Sequence, residues 1–124
     1  MDWAPQRTLK KAAYWYHKAA VQGEAIGQLN LGFRYLHGDG IEQDDAQAAH
    51  WFRQAAAQGN PEAAGELATL HLFGRGVPRD TVIAAALYLL AAAAGDVVSV
   101  GNLVNCLRTS SGTGLAVAFE RALS

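Results

Sequence analysis

Few side chains in this sequence could do nucleophilic, acid–base or metal chemistry. There are four histidines, one cysteine and four serines, Ser99, Ser110, Ser111 and Ser124. Cys106 lies inside an apolar run with no histidine or acid set beside it, so it reads as a small packed side chain rather than an activated thiolate. His37 is followed by Asp39, Glu42, Asp44 and Asp45, but those acids fall on a loop and a helix cap, and no metal site is assigned. Gly38-Asp39-Gly40 lacks the following lysine and the preceding strand of a phosphate loop. No serine starts a Ser-x-x-Lys motif. Without a nucleophile–base pair the expectation is a chain with no catalytic residues and no cofactor. What remains is binding chemistry: amides and aromatics at helical spacing, able to bond a peptide backbone and cover apolar side chains.

Those residues must be held by some frame, and composition limits which. The 124 residues suit one domain. A net charge of −1 leaves no electrostatic footprint for nucleic acid. The hydrophobic share of 51% excludes a disordered chain. One cysteine excludes an intrachain disulfide. With 25 alanines and 3 prolines, closely packed helices are expected. The uncharged stretch from Thr81 to Gly95 is 15 residues, short of the ~20 needed to span a bilayer. It and the run Val97 to Leu107 read as a pair of buried helices rather than a membrane insertion. The N-terminal segment around Arg7, Lys10 and Lys11 runs into Tyr14-Trp15-Tyr16-His17-Lys18, too polar for a secretory leader. A cytoplasmic location is favoured on that ground and on the cysteine count.

The frame declares itself as a repeat of 36 residues. Gly23, Gly59 and Gly95 share one register, as do Ala19-Ala20, Ala55-Ala56 and Ala91-Ala92. Leu31, Leu67 and Leu103 align, Trp15 and Trp51 align with Leu87, and Gly38-Asp39-Gly40 returns as Gly74-Arg75-Gly76. Each period holds two helices. The first spans roughly 25–37 and stripes Gln28, Leu31, Gly32 and Tyr35 toward a core. Its copies give Ala64, Leu67, Ala68, His71 and then Val100, Leu103, Val104, Leu107. The second spans roughly 45–58 and carries Ala48, Trp51, Phe52 and Ala55. Gly38 and Gly74 are placed to end helices in the left-handed region. Asp44, with Gln47 three residues on, reads as a capping box, and Asp80 fills the same slot. Gly59-Asn60-Pro61 reads as stop, cap and first-turn proline.

Comparison between copies separates columns that stay apolar from columns that change. The changing stripe on the first helix is Ile26, Asn30, Phe33, His37, then Glu62, Glu66, Thr69, Phe73, then Val98, Asn102, Asn105, Thr109. His71 replaces Tyr35 in a core column and reads as a packed, hydrogen-bonded histidine; His17 and His50 lie in edge columns. The run Val97–Leu107 carries no charge and its apolar residues are not confined to one stripe, so it is a candidate surface for a homo-oligomer.

Leu31-Gly32-x-x-Tyr35-x-x-Gly38-x-Gly40-Ile41-x-x-Asp44, followed by Ala48, Trp51, Ala55-Ala56 and Gly59, resembles the Sel1-like repeat of the tetratricopeptide superfamily. The resemblance covers about residues 8–109. It implies an all-α fold, a right-handed α-solenoid of antiparallel helix pairs, divided as a half repeat 8–24, repeats 25–60 and 61–96, and a degenerate terminal repeat 97–124 within a single domain 1–124. The chain starts in mid-repeat, as a piece of a longer array or a unit completed by oligomerisation would. The family implies an adaptor that holds a protein or peptide partner. The changing stripe would line its concave groove, and Ile26, Asn30, Phe33, His37, Glu62, Glu66, Thr69, Phe73, Asn102 and Asn105 are the candidate partner-binding residues. Self-assembly through the apolar C-terminal end is the alternative role, and a hydrolase as reported for some relatives is a third. Some secreted bacterial members of the family carry a disulfide in each repeat, and the penicillin-binding or β-lactamase activity reported for relatives belongs to that branch. A single Cys106 sets this chain apart from it.

Overall fold

A computed structural model of the chain describes residues 5–109; the last helix expected from the sequence, within 110–124, lies outside them. Six helices follow in order: α1 (Pro5–Val21), α2 (Ala25–His37), α3 (Asp45–Ala57), α4 (Pro61–Phe73), α5 (Thr81–Ala93) and α6 (Val97–Thr109). Among the described residues there is no strand, and α2 to α6 are each 13 residues long. The fold is the all-α solenoid class of tetratricopeptide-like repeats. The chain forms two compact units, Met1–Asn60 and Pro61–Ser124.

The punctuation works as its chemistry requires. Gly38 at φ +70° and Gly74 at φ +67° close α2 and α4 in the left-handed region, and Gly23, Gly59 and Gly95 do the same in the shorter turns. Asp44 accepts from the Gln47 amide at 3.1 Å. Asp80 accepts from both Val82 and Ile83 amides at 3.0 Å. The capping box expected at Asp44 is only half formed. The Asp44 amide, which a Gln47 side chain would have taken, donates instead to the Tyr35 carbonyl at 2.9 Å, as the Asp80 amide does to His71. Each long loop is thereby sewn to the helix before it.

In the first unit α2 packs on α1 and α3. Leu31, Ala48, Ala49, Phe52 and Ala55 are buried, and a fully buried leucine contributes roughly 1.5–3 kcal/mol. Gly32 lets α2 approach the Phe52 ring: a Cβ there would stand 2.6 Å from Cε1. Gln28 is the buried polar group of this core. Its amide donates to the Ala20 carbonyl at 3.3 Å, and its oxygen accepts from Gln58 at 2.8 Å. Gln58 also reaches the Gly23 carbonyl at 2.8 Å, so the amide pair ties the α1–α2 turn to the end of α3.

In the second unit α5 packs on α4 and α6. Ala68, Ala84, Ala85, Tyr88, Leu103 and Cys106 form its core. Two sequence expectations are corrected here. Helix α5 is not buried all round, because Val82, Ile83 and Leu90 are exposed on its far side. On α6 the expected stripe Val100, Leu103, Val104, Leu107 is rotated. Ser99, Leu103 and Cys106 face the core, while Val100 is 48% and Val104 46% exposed. The helix has its core contact with α5 on one side, and in a segment apolar all round the sequence does not mark which side that is.

Candidate functional site

The candidate residues fall on exposed or half-exposed faces of α2, α4 and α6, and the two units are considered separately. On α2, Ile26 is 62% exposed, His37 is exposed, and Asn30 and Phe33 are half-buried. Phe33 is tied to the core: its ring lies edge-on to Phe52 with centroids 5.3 Å apart. On its other side it stacks on His37 at 6.2 Å and 5°. Asp39, one of the acids near His37 in sequence, pairs instead with Arg34 at 3.9 Å. Among the described residues no group of three or more His, Cys, Asp or Glu side chains converges in a way that would hold a metal ion.

On the second unit, Glu62, Glu66, Thr69, Asn102 and Val98 line a cavity of about 350 Å³ between α4 and the start of α6, with Asp96 and Ser99 at its floor. At Gly65 the start of α6 comes close to α4. The missing side chain lets the Ser99 hydroxyl sit 2.6 Å from where a Cβ would be. That hydroxyl donates to the Asp96 carboxylate at 2.5 Å. Farther along the same two helices, Leu72, Phe73, Asn105 and Cys106 line a second cavity of about 420 Å³, closed on one side by Arg79. Phe73 is 66% exposed, so a large apolar ring stands free at its mouth.

Thr69 carries a lesson about columns that change. Its hydroxyl is committed to the fold, 3.1 Å from the Gly65 carbonyl and 2.5 Å from the buried Tyr88 hydroxyl. Copy one pairs Phe33 with Phe52; copy two pairs Thr69 with Tyr88. A phenol buried where its counterpart is phenylalanine needs a hydrogen-bonding neighbour. The change from Phe52 to Tyr88 was therefore the signal, legible in the sequence, that Thr69 turns inward. Burial pushes the Tyr88 hydroxyl above the ordinary tyrosine value, opposed by the Thr69 bond and assisted by Cys106 and Glu66.

The remaining chemistry-bearing side chains are packed. His71 is buried, and its Nδ1 lies 3.1 Å from the Pro78 carbonyl. Since a carbonyl can only accept, Nδ1 carries the proton. Cys106 is buried and desolvation raises its thiol pKa, the opposite of what a nucleophile needs. His17 and His50, which the columns left idle, both stand edge-on to the Trp51 indole, at 6.1 and 4.9 Å. The indole N–H between them is buried without a hydrogen-bond partner among the described residues. No sequence signal joined His17 to Trp51, because the two belong to different copies.

No helix among the described residues is long and apolar enough to cross a membrane. The family model described as Sel1 repeat matches residues 9–24, 25–60 and 61–96. Among solved structures, the chain is similar to c5321, a protective antigen of uropathogenic Escherichia coli with an SLR fold, at 34% identity and TM-score 0.86. That match covers 93% of this chain and 25% of the other. It is similar to a Sel1 repeat protein from Oxalobacter formigenes at 35% identity and TM-score 0.72, over 76% of this chain and 39% of that one. Helicobacter pylori cysteine rich protein B shares the fold at 20% identity and TM-score 0.61, over 83% of this chain and 100% of that one. No curated protein matches the sequence.

Proposed function

The chain belongs to the Sel1 repeat family, whose members are generally protein-interaction modules, and from that premise we propose that it is a non-enzymatic adaptor whose first-helix faces hold a peptide segment of a partner protein. The observation that carries this is the furrow between α4 and α6. Glu62, Glu66 and Asn102 offer polar groups along one wall or the other, and Phe73 offers apolar area at the end. Amides and carboxylates spaced along a furrow suit an extended chain, whose backbone needs partners at regular intervals. On α2, Ile26, Asn30 and His37 supply the same mix of apolar and polar contact.

The experiment is selection of a random peptide library on the purified chain, followed by amide-shift mapping with a selected peptide. Binding should perturb the α4 and α6 residues of this stripe. It should be lost in Glu62→Lys/Asn102→Lys while the far-ultraviolet circular dichroism is unchanged. Shifts confined to α3 or α5 would refute the proposal.

A second reading is favoured by one observation. Val97 is 80% and Val98 70% exposed, next to the half-exposed Val100 and Val104. An apolar surface of that kind suits self-association. Light scattering over a concentration series tests it. A mass that rises with concentration and returns to about 13 kDa in Val97→Lys supports an assembly role; a constant monomer mass removes it.

A further inference from the structure

Two helices present a face that is closed in the other repeats. On α3 the side chains of Ala48 and Phe52 are fully buried, as are Ala84 and Tyr88 at the same positions of α5. Their counterparts on α1, Ala12 and Tyr16, are only half-buried, and Trp15 between them is 61% exposed. The other side of α1 is well packed. Ala13 and Ala20 are buried, and a Cβ on Gly27 of α2 would stand 2.6 Å from the Ala19 Cβ. What α1 leaves open is therefore the face that α3 turns to α2, where Gly32 meets Phe52, and that α5 turns to α4, where Thr69 meets Tyr88.

Helix α6 shows the converse. Gln28 and Gly32 on α2, and Ala64 and Ala68 on α4, are buried. At those positions α6 carries Val100 and Val104, both half-exposed. Nothing lies within 4 Å of a Cβ placed on Gly101 beside them. Leu103 and Cys106 keep the contact with α5, so the open face is the one that α2 and α4 give to the helix after them. Among the described residues, α1 is a second helix with its first-helix side uncovered, and α6 a first helix with its second-helix side uncovered.

From these complementary halves we infer that α1 of one copy docks on α6 of a second copy, forming across the contact the helix pair that α2–α3 and α4–α5 form within the chain. The occupant follows from continuity. The two interfaces already present join these same positions, and each copy carries both halves of a third. The inference rests on the self-association reading and gives it a direction, since the two surfaces in contact differ. Apolar burial must drive it. Neither helix contains an Asp or Glu, and α1 carries Lys10, Lys11 and Lys18, so added salt relieves repulsion rather than breaking ion pairs.

The test is complementation between blocked ends, using the whole chain and light scattering over a concentration series. Trp15→Lys places a charge on the α1 face and leaves α6 intact. Val104→Lys does the reverse. Each alone should weaken self-association about ten-fold or more, because a charge would be buried without a partner. An equimolar mixture should recover a complex with one copy of each, through α6 of the first variant and α1 of the second. Sodium chloride at roughly 0.5 M should not dissolve it. Circular dichroism and melting identify any variant that has lost its fold, and Ala12→Arg with Val100→Lys is a second pair for the same two faces. If the α1 variants associate as the parent does and the α6 variants do not, α6 pairs with α6; the inference falls and self-association stands. A mixture that stays monomeric overturns it likewise. If the parent keeps a mass of 13.1 kDa at every concentration, both readings fall.

Discussion

Replacing Gly32 by alanine should destabilise the chain, although alanine is the better helix former. In the middle of α2 the substitution gains roughly 0.5–1 kcal/mol from backbone entropy. Against this, the new methyl would lie 2.6 Å from Cε1, 2.7 Å from Cδ1 and 3.1 Å from Cζ of Phe52. That ring is fully buried and has Phe33 edge-on against it at 5.3 Å, so it cannot swing aside without disturbing a second aromatic. Overpacking of this kind costs about 1–3 kcal/mol. The net expectation is a loss of about 1 kcal/mol. Gly101, in the middle of α6, is the control: nothing lies within 4 Å of its absent Cβ. Gly101→Ala should therefore gain roughly 0.5–1 kcal/mol. At roughly 3–6 °C per kcal/mol for a chain of this size, the two variants should melt on opposite sides of the parent and roughly 5–10 °C apart. Combining Gly32→Ala with Phe52→Leu trims the ring that the methyl meets. The double variant should be less destabilised than the sum of the singles by ~0.5–2 kcal/mol. Urea and thermal unfolding of the parent, Gly32→Ala, Gly101→Ala, Phe52→Leu and the double variant measure all of this. A Gly32→Ala protein that melts at or above the parent would refute the reasoning, because Gly32 would then be no more than a poor helix residue.

Two other outcomes follow from the structure. Asp80 caps two amides where Asp44 caps one, so Asp80→Ala should cost about 1–2 kcal/mol and Asp44→Ala about 0.5–1 kcal/mol, read from denaturant midpoints. Tyr88 holds its proton more tightly folded than unfolded, because burial raises its pKa. Its contribution to stability is therefore present below the ordinary value of about 10 and is lost as pH rises through the higher folded value. Absorbance titration at alkaline pH should show one late phenolate that is missing in Tyr88→Phe, and the parent should lose stability above pH ~10 more steeply than that variant.

Much of this fold was legible because its signals are local and occur more than once. A glycine after α2, an aspartate before α3 and a glycine after α3 each force a backbone event, and each returns after 36 residues. What escaped the sequence depends on contacts that no single column records. The rotation of α6 is one case, since valines at 97, 98, 100 and 104 give no stripe to read. Thr69 is another. A changing column was read as a free one, but its change compensates the appearance of a hydroxyl on Tyr88. The Trp51 indole between His17 and His50 is a third, drawn from two copies whose side chains have no reason to resemble each other.

The loops that follow α2 and α4 have one more consequence. A Cβ on Gly38 would meet Gln43 at 3.1, 3.5 and 3.6 Å, and one on Gly74 would meet the corresponding atoms of Arg79 at the same three distances. An uncharged amide in one copy and a guanidinium in the other thus ride on the same backbone curve. Shape and decoration are inherited separately in this chain. Residues 43 and 79 are two positions on one recurring mount, where the side chain differs without rebuilding what carries it.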